Sequence, residues 1–258
     1  MEWTIKCTGA FKKIVMHVKE MCRHVIVEYS PRMFTIKAVA MFNQSYTETC
    51  MPPSFFANVR GTGRGSINID ITHLYRVLKS CACTDTIVMR IERSAVTDKP
   101  DSTFTVVFMR DIRRQTFVIT CRPNDRDISL RSLDSTTTTT VSSNMLLHAF
   151  ERVYDLVDDV ELKLDYCADE DVLNVSGRGD VADIVCTIPT RIVCGDISPH
   201  AIGKYDLPTL YHAAYFSSMS STGDTQLHCS ARLPLKLFFK IHECYVTIMI
   251  ASKSSSPK

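Results

Sequence analysis

The residues best equipped for chemistry are eight histidines, eleven cysteines and an acidic run of Asp155, Asp158, Asp159 and Glu161. Their spacing gives them little to do together. No histidine pair has the HExxH spacing that holds a zinc ion on one helical face. His228 and Cys229 are adjacent, so on a strand they point to opposite faces. Cys81 and Cys83 are too close to form a zinc site without further ligands, and none is found for them. The acidic run fits a solvated helix-to-strand turn better than a pair of hydrolytic acids. No Ser-His-Asp arrangement is supported. GTGRGS, residues 61–66, alternates glycines but lacks the Lys-Ser/Thr of a phosphate loop and precedes a strand, so it reads as a mobile loop. The expectation is a protein that is not an enzyme and needs no metal or cofactor.

Two short motifs point outward and are set aside. Arg178-Gly179-Asp180 spells an adhesion signal, and Asn174-Val175-Ser176 a glycosylation sequon. No apolar segment follows Met1, no window approaches a membrane span, and eleven scattered cysteines do not suggest a disulfide framework. Ile184-Val185-Cys186 and Ile192-Val193-Cys194 place thiols among apolar neighbours, which suits a reduced compartment. No membrane association is expected.

Charge is distributed unevenly. Residues 1–131 hold 20 Lys/Arg against 12 Asp/Glu, a balance of +8; residues 132–258 carry −6. Two domains with different electrostatic duties would give this pattern. Between Arg122 and Thr140 the chain turns polar and ends in a threonine run, which reads as a connector. The expected division is an N-terminal domain over 1–121, a connector over 122–137, a C-terminal domain over 138–252 and a tail over 253–258.

The elements repeat on both sides of the connector. WTIKCT, HVIVEYS, RMFTIKAVA, SYTETCM and GSINID alternate as strands, with helices over GAFKKIVMHVKEMCR and THLYRVLKS. DTIVMRI, STFTVVFM and RQTFVIT complete the first half. The second half repeats the order, with helices over NMLLHAFERVY and LPTLYHAAYFSSM. Each half therefore holds two strand–helix–strand–strand–strand units, an α+β plan with helices on one face of antiparallel sheets.

The helices add a clue. Phe11, Ile14, Val15, Val18 and Cys22 form one stripe, while Lys12, Lys19 and Arg23 form another, with Lys13 nearby. Leu74, Val77, Leu78 and Cys81 oppose Arg76 and Lys79. One-signed stripes on two equivalent helices favour a polyanion over simple solvation.

This order of elements resembles the DNA sliding clamps of the PCNA type. DVLNVSGRGDVADIVCT is similar to the clamp's strand pair around a Ser-x-x-Gly turn, QLHCSARLPLKLFFKI to its penultimate hairpin, and YVTIMIASK to its final strand. Within that group, SYTETCMPPSFFANV and RRQTFVIT resemble the Rad-nine-type subunit of the heterotrimeric checkpoint (nine-one-one) clamp. The acidic second half departs from the PCNA pattern. Its third helix offers His148 and Arg152 beside Glu151 and Asp155, and its fourth little beyond His212. The chain also ends at SKSSSPK without that subunit's long tail.

The resemblance implies a nuclear clamp subunit in DNA-damage checkpoint signalling and repair. Its partners would be two other clamp subunits, duplex DNA, a clamp loader, and repair and checkpoint clients. A homotrimeric, PCNA-like replication clamp is the alternative, and a small-molecule enzyme the least favoured reading. The implied DNA channel comprises Lys12, Lys13, Lys19, Arg23, Arg60, Arg64, Arg76, Lys79 and Arg152. The implied client groove comprises Val39, Ile128, Leu130, Pro234 and Met249. The implied subunit interface comprises Arg113, Arg114, Thr116 and Val118 on one edge, and Gly177, Arg178, Asp180 and Ala182 on the other. Gly177 and Gly179 would supply the freedom of a tight turn.

Overall fold

Alternation of apolar and polar residues builds most of this chain, and the computed structural model shows eighteen strands and four α-helices among the described residues. It describes all residues except 41–44, 94–101, 125–136, 158, 168–169, 181, 196–199, 230–233 and 254–258. Leu235, Leu237, Phe239 and Ile241 show the rule: every second side chain is buried, as a pleated strand with one covered face requires. The chain divides into two units. The first spans Met1–Ala40 and Thr47–Leu130 with His242–Tyr245; the second spans Met41–Tyr46, Arg131–Ile241 and Val246–Lys258.

In the first unit the order is β1 (Glu2–Ile5), α1 (Thr8–Met21), β2 (His24–Ser30), β3 (Met33–Val39), β4 (Ser45–Met51) and β5 (Phe56–Arg60). Then come β6 (Gly65–Asp70), α2 (Ile71–Lys79), β7 (Thr86–Arg93), β8 (Ser102–Arg110), β9 (Arg113–Thr120) and β10 (Arg122–Pro123). Five strands pair in the order β5-β1-β7-β8-β9, and another group runs β10-β6-β2-β3-β4. Trp3 joins the two groups. Its ring meets Tyr29 at 5.8 Å and Phe34 at 5.1 Å, both edge-on, and Phe34 meets Phe56 at 6.1 Å. Such edge-to-face contacts add roughly 0.5–1.5 kcal/mol each beyond area burial. α1 and α2 bury Phe11, Ile14, Val15, Val18, Ile71, Leu74 and Leu78. β5 is not among the strands expected from the sequence: FANVR exposes most of its side chains and so lacks an alternating signal.

The second unit repeats the plan with β11 (Thr137–Ser142), α3 (Ser143–Val153), β12 (Asp159–Cys167), β13 (Glu170–Arg178), β14 (Asp183–Gly195), β15 (His200–Asp206), α4 (Leu207–Ala214), β16 (Asp224–Cys229), β17 (Leu235–Ile241) and β18 (Cys244–Ile250). These strands lie in the order β18-β17-β16-β11-β14-β13-β12-β15. The fold is therefore α+β, dominated by antiparallel sheets, as expected. The β-α-β-β-β order recurs four times, with β5 and β10 standing outside it.

The helices start by different means within each unit. α2 is capped by Asp70, which accepts from the Thr72 N–H at 2.8 Å. α4 is capped by Asp206, which accepts from the Thr209 N–H at 3.0 Å and the Thr209 hydroxyl at 2.7 Å, with Pro208 in the first turn. α1 and α3 begin without a side-chain cap.

Candidate nucleic-acid interface and strand edges

The cationic residues of α1 and α2 fall into two groups. Lys13, Arg76 and Lys79 are exposed, with no ion pair among the described residues. Arg23 is exposed too, but its guanidinium pairs with Asp70 at 3.1 Å. Lys19 is half-buried, pairs with Glu20 at 2.7 Å and lies 5.4 Å above the Tyr75 ring. Lys12 does not belong to a solvent-facing stripe as expected. It is half-buried, and its ammonium donates to the carbonyl of Cys81, just beyond the end of α2. Periodicity could not reveal this, because it assigns a residue to a face and not to a neighbouring helix's last carbonyls. Arg60, the last residue of β5, and Arg64, in the loop to β6, are exposed, and Gly61 between them takes a φ of 98° beneath the Met1 side chain.

Arg23 and the Thr72 N–H also set the electrostatics of the cap. Burial raises the Asp70 carboxyl, but the two hydrogen bonds outweigh it and lower the pKa to about 2. Nearby, Asp85 accepts from the Ala82 N–H at 2.7 Å and pairs with Arg110 at 2.6 Å; both hold its carboxyl below the usual range.

The corresponding surface of α3 and α4 has different chemistry. His148 pairs with Glu151 at 2.8 Å; Arg152, Asp155 and Leu156 are exposed. Tyr154 stacks on Tyr211 at 4.2 Å, and the hydroxyls of Tyr211 and Tyr215 lie 2.8 Å apart. That hydrogen bond, with burial behind it, pushes the Tyr211 phenol up to about 12. Sequence reading missed this tyrosine group. Its signal was present as Tyr211 and Tyr215, spaced i, i+4 across the end of α4.

Each unit also presents, among the described residues, a strand edge with no neighbour. β9 pairs with β8 along its whole length and, among the described residues, with no strand on its other side. Arg113, Arg114, Gln115 and Thr116 are exposed, Val118 is 67% exposed, and Ile112 at the preceding turn is 99% exposed. Neither arginine makes an ion pair among the described residues.

The second edge lies one strand away from its expected place. β13, which carries Gly177 and Arg178, is flanked by both β12 and β14. The free edge belongs to the first half of β14. Asp183–Pro189 pair with β13 on one side, but β11 reaches only Thr190–Gly195 on the other. Asp180 and Ala182 are exposed in the turn leading to this edge, and Val185 is 65% exposed on it. A cavity of about 650 Å³ opens alongside, lined in part by Val160, Ser176, Arg178, Asp183, Val185 and Lys204.

The turn does not use the glycines as expected. Neither Gly177 nor Gly179 has a positive φ; Gly177 pairs with Ile184 inside the ladder. Gly179 is required by close approach, because a Cβ there would sit 2.1 Å from the Leu156 carbonyl oxygen.

The remaining expectations are scattered or undescribed. Val39 is half-buried in the first unit, Pro234 and Met249 half-buried in the second; Ile128 and Leu130, with most of the connector, lie outside the described residues. Free thiols are found at Cys7, Cys22, Cys50, Cys81, Cys83, Cys121, Cys186 and Cys244. Burial raises the Cys22 and Cys244 thiols to about 12. No three potential metal ligands cluster among the described residues, and none of their helices is long and apolar enough to cross a membrane.

Two units on one plan, paired helices in each and antiparallel sheets with unpaired outer edges define a PCNA-like clamp fold. Its similarity is concrete. The solved structure of Proliferating Cellular Nuclear Antigen from Entamoeba histolytica matches with a TM-score of 0.82, over 98% of this chain and 98% of that one, at 15% identity. No family model and no curated protein matches the sequence, so the likeness is one of fold.

Proposed function

We propose that this chain is a subunit of a ring-shaped DNA clamp that encircles duplex DNA and docks client proteins, without making or breaking bonds. The observation that carries the reading is a PCNA-like fold whose first-unit helices expose Lys13, Arg76 and Lys79. Such cations touch phosphates without reading sequence, and exchanging contacts of this kind let a topologically closed ring slide. Arg23, Lys19, Arg60 and Arg64 extend the surface, and Arg152 is its only cationic counterpart on α3. The edges at β9 and at Asp183–Pro189 of β14 join neighbouring subunits by strand addition.

The tyrosine-rich, acid-bearing surface of α3 and α4 favours a mixed ring, in which other subunits contribute the missing charge. That supports a role as a Rad-nine-type subunit of a heterotrimeric checkpoint clamp, acting in the nucleus with a clamp loader, repair factors and checkpoint proteins. The client groove that the resemblance implies over Val39, Ile128, Leu130, Pro234 and Met249 belongs to this reading. Residues 1–121 and 138–252 are its two clamp domains, joined by the connector at 122–137. The second reading is a one-component replication clamp.

The test is recovery of the tagged chain from its own cells, followed by electron microscopy and DNA retention. A three-subunit ring that survives high-salt washing on circular duplex and runs off after linearisation is expected. Recovery without any closed ring, or equal loss from circular and linear DNA, refutes the clamp.

A further inference from the structure

The contacts between α1 and α2 run level by level along the pair. At the start of α1 the Thr8 hydroxyl donates to the Asp85 carbonyl at 3.0 Å, and one turn on the Lys12 ammonium donates to the Cys81 carbonyl. Further along, the Lys19 ammonium lies 5.4 Å above the Tyr75 ring. Just past the helix, the Arg23 carbonyl accepts from the Ile71 N–H at 2.9 Å, and its guanidinium pairs with Asp70 at 3.1 Å. As the chain advances from Thr8 to Arg23, its partners recede from Asp85 to Asp70, so each tie fixes one level of an antiparallel pair.

The second unit repeats one of these ties in other chemistry. Lys19 stands eleven residues after Thr8, the first residue of α1, and Tyr154 stands eleven after Ser143, the first of α3. Tyr75 and Tyr211 each stand four residues after the first residue of their helices, Ile71 and Leu207. An ammonium on a tyrosine in the first unit is therefore matched in the second by a tyrosine on a tyrosine, with ring centroids 4.2 Å apart. What the two positions share is the contact across the helix pair; charge is not part of it. The other cations of α1 and α2 differ in what a phosphate would displace. From Lys13, Arg76 and Lys79, which have no ion pair among the described residues, it displaces water. From Lys19 it must displace Glu20 at 2.7 Å, and from Arg23 it must displace Asp70.

We infer that Lys19 and Arg23 are positioning residues. With Lys12 they hold α2 beside α1, so that Lys13, Arg76 and Lys79 stand at fixed spacing, and those three carry the phosphate contacts. This rests on the clamp reading and divides its cationic surface into contacts and supports.

The experiment measures binding of a fluorescent DNA duplex across a salt series, with thermal unfolding followed by circular dichroism. Lys13→Gln is expected to lower the log–log salt slope by about 0.9, the value of one phosphate contact on duplex DNA. Lys19→Ala is expected to keep the wild-type slope, to melt at a lower temperature and to bind about threefold more weakly at fixed salt, the size of one lost exposed cation–π contact. Lys19→Tyr copies the pair of the second unit without restoring charge. It is expected to recover both the melting temperature and the affinity, again at the wild-type slope. Arg23→Gln is expected to keep that slope as well. A slope lower by about 0.9 in Lys19→Tyr or Arg23→Gln makes that residue a phosphate contact and overturns the inference. A Lys19→Tyr chain that melts and binds like Lys19→Ala also overturns it, as does a wild-type chain with no salt-dependent DNA binding. The first two results leave the clamp reading standing. That reading fails separately, by the absence of a ring in cell-derived material.

Discussion

The helical faces of the two units share a backbone plan and differ in nearly every charged side chain. On α1 and α2, Lys13, Arg76 and Lys79 stand exposed over an apolar core. On α3 and α4, a tyrosine trio and a His148–Glu151 pair occupy the equivalent surface. The cores obey one rule, with Leu74 and Leu78 in the first unit answered by Leu146 and Phe150 in the second. Burial fixes the fold in both, whereas the solvated face is free to follow function. The difference concentrates exposed cations on the helices of the first unit.

The strongest way to break that comparison is to reverse Lys13, Arg76 and Lys79 to Glu together. Loss of three phosphate contacts should lower the log–log salt slope of DNA binding by about 3, as measured by fluorescence anisotropy across a salt series. An unchanged slope would remove α1 and α2 from the interface. The converse change, Glu151→Lys with Asp155→Lys, should steepen the slope by up to about 2 if the second face also borders DNA. No change there would keep DNA contact to the first unit alone.

Smaller effects compare the caps. Asp70→Ala and Asp206→Ala should each cost about 1 kcal/mol in urea unfolding, since each also removes an ion pair, to Arg23 and to Lys253 respectively. The pH dependence has a definite sign. With the Asp70 carboxyl near 2 in the folded chain and 3.8 as its ordinary value, its stabilisation is complete above 3.8 and disappears as pH falls through about 2. Asp206 is lowered as well, against burial, by Thr209 and Lys253. Melting temperatures between neutral and acid pH should therefore fall less steeply in Asp70→Asn than in wild type. The least effect on DNA is expected from Lys12→Met. Its ammonium is committed to the Cys81 carbonyl, so the change should cost about 1 kcal/mol of stability while leaving the salt slope unchanged.

Much of the fold could be read from the sequence because buried faces leave periodic traces. The four helices and the repeated β-α-β-β-β order follow from spacing. What could not be read depends on pairing length and on approach between distant residues. β14 is long enough to serve two neighbours, but β11 stops at Thr190 and leaves Asp183–Pro189 uncovered. No pattern within VADIVCTIP announces where a partner strand ends. Lys12 looked like its neighbour Lys13 because one helical turn does not report where the next helix finishes. The Tyr154–Tyr211 stack joins α4 to the residue just past α3, a contact made only on folding.

Gly179 links two parts of the second unit. With hydrogen as its only substituent, the loop before the open margin of β14 rests directly on the Leu156 carbonyl, three residues past α3. Any methyl group there would wedge the two apart. The open margin and the helix end beside the tyrosines are thus pinned at one point, and displacement of either is felt by the other.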